Sequence, residues 1–223
     1  MKLFLPLIAS ILILFSACKS ASMFETPNSL RNINAKLYLA NGKTVEGKLI
    51  IDLHNSFGSP VKLYLPDDKK PQKYDLSDVE GYEIRGEYYE LKEIKSGISL
   101  GKNRSFMKRL TPAVSRIHLY ENTEKNTNTS TDRNGISTSR VSYETQYYMQ
   151  FPDETGNGVW AVNSTKFVPN FDEKMSRLVQ DCPALASKIA NKEQGYFYAQ
   201  VSLFKEKRAD VLWNIISEYN KCK

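Results

Sequence analysis

The sequence predicts an α+β protein with β-rich N-terminal and middle regions and a C-terminal unit of about three helices. Three observations carry this. Apolar and polar residues alternate through most of residues 33–94, the pattern of half-buried strands. A second, aromatic-rich stretch, Arg140 to Phe151, also reads as a strand. From Phe171 the apolar spacing changes to that of helices. The strands are short and closely spaced, which suggests a small antiparallel sheet or barrel.

The chain opens with one cation, Lys2, and about a dozen mostly apolar residues from Leu3 to Phe15. The small pair Ser16-Ala17 follows. A basic start, a short apolar core and small residues at the cut describe a secretory signal over residues 1–17. The run falls short of the ~20 residues that a spanning helix needs. Phe15-Ser16-Ala17-Cys18 resembles the lipobox of bacterial lipoproteins, with Phe where Leu is usual. The resemblance implies that Cys18 is lipidated and becomes the mature N-terminus. Ordinary secretion, with cleavage after Ala17 or Ala21, is the alternative. Two or more acyl chains make anchoring stable, at about 0.8 kcal/mol per buried methylene. Residues 18–32 then read as a lipidated, polar tether.

The first β unit spans 33–94. Ile33, Ala35, Leu37 and Leu39 alternate along one strand, and Asn41-Gly42 is a strong hairpin signal. The return strand, Lys43 to Asp52, carries Val45, Leu49 and Ile51 inward. Val61 to Leu65 is a third strand, and Lys73 to Ile94 holds two more around turns at Ser77-Asp78 and Arg85-Gly86. This strand plan faintly resembles SH3-like and Sm-like barrels, without their specific motifs.

A second β region spans 95–168. Phe106 to Leu110 reads as one helical turn ended by Thr111-Pro112. Val114 to Tyr120 reads as a strand. Residues 121–139 are polar, with Ile136 as the one aliphatic residue, and read as a flexible hairpin loop. Arg140 to Phe151 and Val159 to Val162 are strands.

The helical unit spans 169–223. Phe171, Met175, Leu178, Val179 and Cys182 share one helix face. Pro183 starts a second helix bearing Leu185, Ala186, Ile189 and Ala190. A third, from about Leu203 to Lys221, turns Val211, Leu212, Ile215, Ile216 and Tyr219 inward. The chain has three cysteines. With Cys18 assigned to lipid, Cys182 and Cys222 either pair or remain two buried thiols. Antiparallel neighbours would bring the C-terminal ends of the first and third helices together, which favours pairing.

"FDEKMSRLVQDCPALASKI" and "IISEYNKC" resemble the C-terminal segment of uncharacterised Bacteroidetes lipoproteins. That resemblance implies a phylum and a cell-envelope location. It transfers no catalytic residue. Lys19-Ser20-Ala21-Ser22 lacks an Asp after the cysteine, which resembles outer-membrane sorting. The first acid is Glu25, which favours the periplasmic face over surface export.

Chemistry is sparse. The two histidines, His54 and His118, lie far apart and in no known motif. No phosphate loop or serine-nucleophile elbow is present. Ser130, Asp132, Asn134 and Gly135 fit part of a calcium loop, but Val141 stands where a Glu is needed. No metal or other cofactor is expected. The net charge of +6 is spread among acids, which argues against nucleic acid as a partner. Tyr143, Tyr147, Tyr148 and Trp160 are the candidate binding face, for an envelope protein or a glycan. The leading reading is a non-enzymatic binding or structural module. An enzyme with a carboxylate-based site is the alternative.

Replacing the anchor tests the address. A Cys18→Ser protein is expected to leave the membrane fraction. Its retention after detergent-free washing would contradict lipid anchoring.

Overall fold

The structure, a computed structural model, describes residues 21–53, 60–95, 103–152, 156–198 and 205–222, with side chains at 205–207 excluded. Cys18 and His54 lie outside these residues. Eleven strands form one sheet: β1 (Met23–Thr26), β2 (Ser29–Leu39), β3 (Thr44–Asp52), β4 (Val61–Tyr64), β5 (Gln72–Tyr74), β6 (Val79–Ile84), β7 (Glu87–Lys95), β8 (Arg104–Arg109), β9 (His118–Thr131), β10 (Ser137–Gln150) and β11 (Gly158–Ala161). Three described α-helices follow: α1 (Phe171–Leu178), α2 (Pro183–Ala190) and α3 (Lys205–Tyr219). The α+β expectation holds, and the sheet is large rather than small.

The sheet order is β11-β10-β9-β8-β7-β6-β2-β3-β4-β5, with β1 on β2. β11 also pairs in parallel with β7, through Gly158, Val159 and Trp160 against Glu93, Ile94 and Lys95. Strands β7 to β11 therefore close on themselves as a five-stranded barrel. The remaining strands extend from β6, which takes the first half of one β7 edge (Glu87–Glu90); β11 takes the second half of that edge (Glu93–Lys95).

Local sequence accounts for the N-terminal strands. Gly42 takes φ +79° in the turn from β2 to β3. Arg85 and Gly86, at φ +54° and +81°, form the two-residue turn from β6 to β7. Ile33, Ala35, Leu37, Leu49, Ile51, Val61 and Leu63 are all buried in one cluster with Tyr82, Tyr89, Leu91 and Phe106.

Four expectations are corrected. Residues 23–32 are not tether: they form β1 and the start of β2. The reason is Asn28, which is 1% exposed. Its amide donates to Ser105 Oγ (2.8 Å), Asn122 Oδ1 (3.2 Å) and the Phe106 carbonyl (3.3 Å). Its Oδ1 accepts the Phe106 N–H at 2.7 Å. One buried amide thus fastens the start of the sheet to β8 and β9.

The expected helical turn at Phe106 to Leu110 is strand β8. Ser105, Phe106 and Met107 are buried in succession because both faces of β8 are covered. The strand expected from Val114 begins only at His118, and Val114 is 93% exposed. The expected loop at 121–139 is instead a two-stranded ribbon, in continuous register from His118↔Gln150 to Thr131↔Ser137.

The helices pack on the outer face of the barrel. Ile117, Leu119, Met149 and Phe151 meet Phe171, Met175, Val179, Leu185, Ile189, Leu212 and Ile215. Ala190, expected on the inner face of α2, is exposed. Cys182 and Cys222 lie at disulfide distance, with Cα atoms 5.8 Å apart. Arg116 reinforces this corner. It stacks on Tyr219, 3.9 Å from the ring centroid, pairs with Asp181 and donates to the Cys222 carbonyl at 3.3 Å. The Arg116 hydrogen bond holds the Asp181 carboxyl below its ordinary range.

The cysteine pair spans a sequence separation of 40. Its removal by Cys182→Ala with Cys222→Ala is expected to cost about 3–4 kcal/mol. Denaturant midpoints with and without reductant check this. An unchanged midpoint would mean that the two thiols sit together unbonded.

Candidate functional site

The aromatic residues singled out in the sequence do not share one surface. Tyr147 and Tyr148 are neighbours on a strand, so they face opposite sides. Tyr148 is buried inside the barrel with Met107, Tyr120 and Val159. Tyr147 and Trp160 lie half-buried against the helical core. Tyr143 is 56% exposed on the ribbon. Its hydroxyl lies 3.5 Å from Glu25 Oε1.

The barrel holds a charged cluster that sequence reading missed. Alternation on β7 sends Glu90 and Lys92 into the barrel, while Tyr89 and Leu91 enter the N-terminal core. Lys92 is 3% exposed. Its ammonium sits 2.9 Å from Glu90 Oε1 and 3.0 Å from Gln150 Oε1, and 4.8 Å from the centroid of the Tyr120 ring. The Tyr120 hydroxyl donates to Glu90 Oε2 at 3.0 Å. Arg109 approaches the same carboxylate at 3.7 Å and lies over the Tyr88 ring. Burial lowers the Lys92 pKa, and Glu90 partly opposes the shift. Burial likewise raises the Tyr120 hydroxyl far above its ordinary value, with Glu90 adding to it.

His118 borders this cluster, its Nδ1 3.3 Å from Thr111 Oγ1. Burial lowers its pKa below 6.5; Glu90 opposes this, while Lys92 and Arg109 add to it. Every polar atom placed on Lys92 and Glu90 has a partner within the protein. The geometry satisfies a buried ion pair rather than presenting it to a substrate. The carboxyls of Glu25, Glu87, Asp181 and Glu218 are each lowered, chiefly by a lysine or arginine partner. None of these four is poised as a general acid. Among the described residues, no group of three or more His, Cys, Asp or Glu is placed to hold a metal ion. No described helix is long and apolar enough to cross a membrane.

The other feature is the ribbon. Seven residue pairs, from Lys125↔Tyr143 to Thr131↔Ser137, project beyond the body. Residues 125–143 are exposed throughout. At 3.3 Å per residue the projection is roughly 23 Å long. Its tip is built locally. Asp132 Oδ1 accepts the N–H groups of Asn134 and Ile136, both at 2.9 Å, and Gly135 takes φ +79°. This is the polar turn that the calcium-like spacing marked. Hydroxyl pairs cross the strands at Thr131···Ser137 (2.9 Å) and Ser130···Thr138 (3.3 Å). Glu25 of β1 braces the base through Lys125 at 2.5 Å.

Among the described residues, the ribbon's outer edges are unpaired. β9 pairs with β8 only at Tyr120 and Glu121. β10 pairs with β11 only at Tyr148 and Met149. The sequence signal that could have found the ribbon is the balanced Thr/Ser spacing about Asp132-Arg133-Asn134-Gly135.

No family model matches the chain, and neither a curated protein nor a solved structure matches it.

Two outcomes follow for the barrel cluster. Glu90→Gln leaves the Lys92 charge buried without its counter-ion and is expected to cost about 3 kcal/mol. Adding Lys92→Met is expected to recover most of that loss, which denaturant titration of the single and double variants reads. The folded His118 pKa lies below the unfolded value, so the unfolded state binds more protons between the two. Stability should therefore fall as pH drops through about 6.5. His118→Gln should remove that part of the acid loss, seen as a variant-minus-parent difference that changes below pH 6.5.

Proposed function

We propose that this chain is a lipoprotein of the cell envelope, anchored by Cys18 at the periplasmic face of the outer membrane. It acts there as a non-enzymatic binding module, and the β9–β10 ribbon is its contact element. The exposed ribbon with two open edges is the observation that carries this reading. An unpaired strand edge offers a row of backbone donors and acceptors to another chain. An extended segment of an envelope protein can add a strand there, with backbone hydrogen bonds supplying affinity.

The side chains suit such a partner. Thr127, Thr129, Ser137 and Ser139 offer hydroxyls, while Ile136, Val141 and Tyr143 offer exposed apolar surface. Lys125, Arg133 and Arg140 outnumber Asp132, so the ribbon favours a partner segment of acidic or neutral character. The lipid anchor supports the same reading, because tethering raises the local concentration of ribbon and partner at one membrane. The short stretch from Cys18 to Met23 keeps the body close to the bilayer.

Shortening the ribbon tests this. Replacing residues 126–142 by Asn-Gly should leave the unfolding free energy within about 0.5 kcal/mol of the parent's, because the removed residues contribute no core. A photo-reactive side chain at Thr129 or Val141 should cross-link the intact protein to an envelope protein in living cells. A short-ribbon protein that keeps the same cross-linked partner through other positions, or an intact ribbon that yields no cross-link, would contradict the reading.

A further inference from the structure

A cavity of about 350 Å³ opens between β6, β7 and β8, at the turn preceding β6. Ala40, Leu76, Val79 and Leu91 supply its apolar walls. Glu80, Lys92, Glu93 and Arg104 supply charged residues, and Ser77 and Asn157 supply neutral polar groups. Strand geometry gathers the charges. Glu93 and Arg104 are directly opposite in the β7–β8 register, so their side chains stand on one face about 5 Å apart at Cβ. Leu91, two residues before Glu93, lies on that same face.

Three of these charges are not used by the fold. The side chains of Glu80, Glu93 and Arg104 form no hydrogen bond or ion pair with another described residue. This sets them apart from Lys92 and Glu90, whose pairing is complete within the barrel. A concave space with apolar walls and a few unpaired, convergent polar groups has the make-up of a small-molecule site.

We propose that this cavity binds a basic amino acid, free or within a short peptide. Arg104 takes the carboxylate, for which the guanidinium fork is the matching donor. Glu93 and Glu80 take the two amines. Lys92 also lines the cavity, but its ammonium is matched by Glu90 inside the barrel. The remaining charges, Glu80, Glu93 and Arg104, sum to one net negative, which a ligand with two amines and one carboxylate neutralises. Leu76, Val79 and Leu91 cover its methylene chain. Among the described residues, no aromatic side chain lines the cavity, so none offers the stacking face that a sugar ring favours. The site lies apart from the ribbon, so it extends the binding role proposed above without depending on it.

Titration of the full mature protein with free lysine, followed by calorimetry or amide chemical shifts, tests the assignment. Saturable lysine binding, about tenfold or more tighter than alanine or glutamate, is expected. Arg104→Gln should weaken lysine about tenfold and leave cadaverine, which lacks the carboxylate, nearly unaffected. Glu93→Gln should weaken both. An alanyl-lysine arm separates the sources: tighter binding than free lysine assigns a peptide, weaker binding assigns the free amino acid. No saturation with lysine or alanyl-lysine by ~10 mM, or glutamate binding as tightly as lysine, overturns the proposal. If a variant fails to fold, the comparison of lysine with alanine and glutamate on the parent protein still decides it.

Discussion

Strand β7 belongs to two cores at once, and the rest of the molecule depends on that sharing. Its alternation sends Tyr89 and Leu91 into the N-terminal cluster and Glu90, Lys92 and Ile94 into the barrel. Its parallel pairing with β11 closes the barrel. A strand covered on both sides has no solvent face on which to leave its polar residues. Glu90 and Lys92 must therefore satisfy one another, and Gln150 and Tyr120 complete the set. The buried ion pair follows from the topology. It adds little net stability of its own, but removing half of it would be costly.

The same sharing positions the functional surfaces. β7 meets β8 across Glu93 and Arg104, which sets two of the four charged residues of the cavity. β8 passes the sheet on to β9, whose first half is barrel wall and whose second half is exposed ribbon. A two-stranded ribbon alone is marginal in water. Here its base is held by the barrel and by Glu25 of β1, itself fixed by the amide of Asn28. The helical unit packs on the outer face of β9 and β10; Arg116 ties it there through Asp181 and the Cys222 carbonyl, and the cysteine pair joins the ends of α1 and α3. Stability is concentrated in the body, which leaves the ribbon available for contact.

How much of this was legible in the sequence depends on which faces are buried. Strands β2 and β3 bury alternate residues, and Leu37, Leu39, Leu49 and Ile51 announced them. The helices bury one stripe, so Phe171, Met175 and Val179 fell where the 3.6 spacing put them. β8 buries Ser105, Phe106 and Met107 in a row, which erases the alternation and imitates a helical turn. The ribbon buries nothing, so its composition cannot be told from that of a disordered loop; only cross-strand register distinguishes them. Lys92 looks like any surface lysine until the barrel closes over it. The cavity gathers Ala40, Leu76, Glu80, Glu93, Arg104 and Asn157, and no local motif joins positions so far apart. Tyr143, Tyr147 and Tyr148 looked like one platform because they are near in sequence, but strand parity and the ribbon separate them.

Native-state hydrogen exchange tests the central role of β7 most directly. If β7 unites the two cores, the slowest amides of β2 and β3 and those of β8 to β10 should share one opening free energy, equal to that of global unfolding. The ribbon amides beyond Lys125 should open at far lower cost. Two distinct opening energies, with the barrel exchanging independently of the N-terminal sheet, would contradict the account.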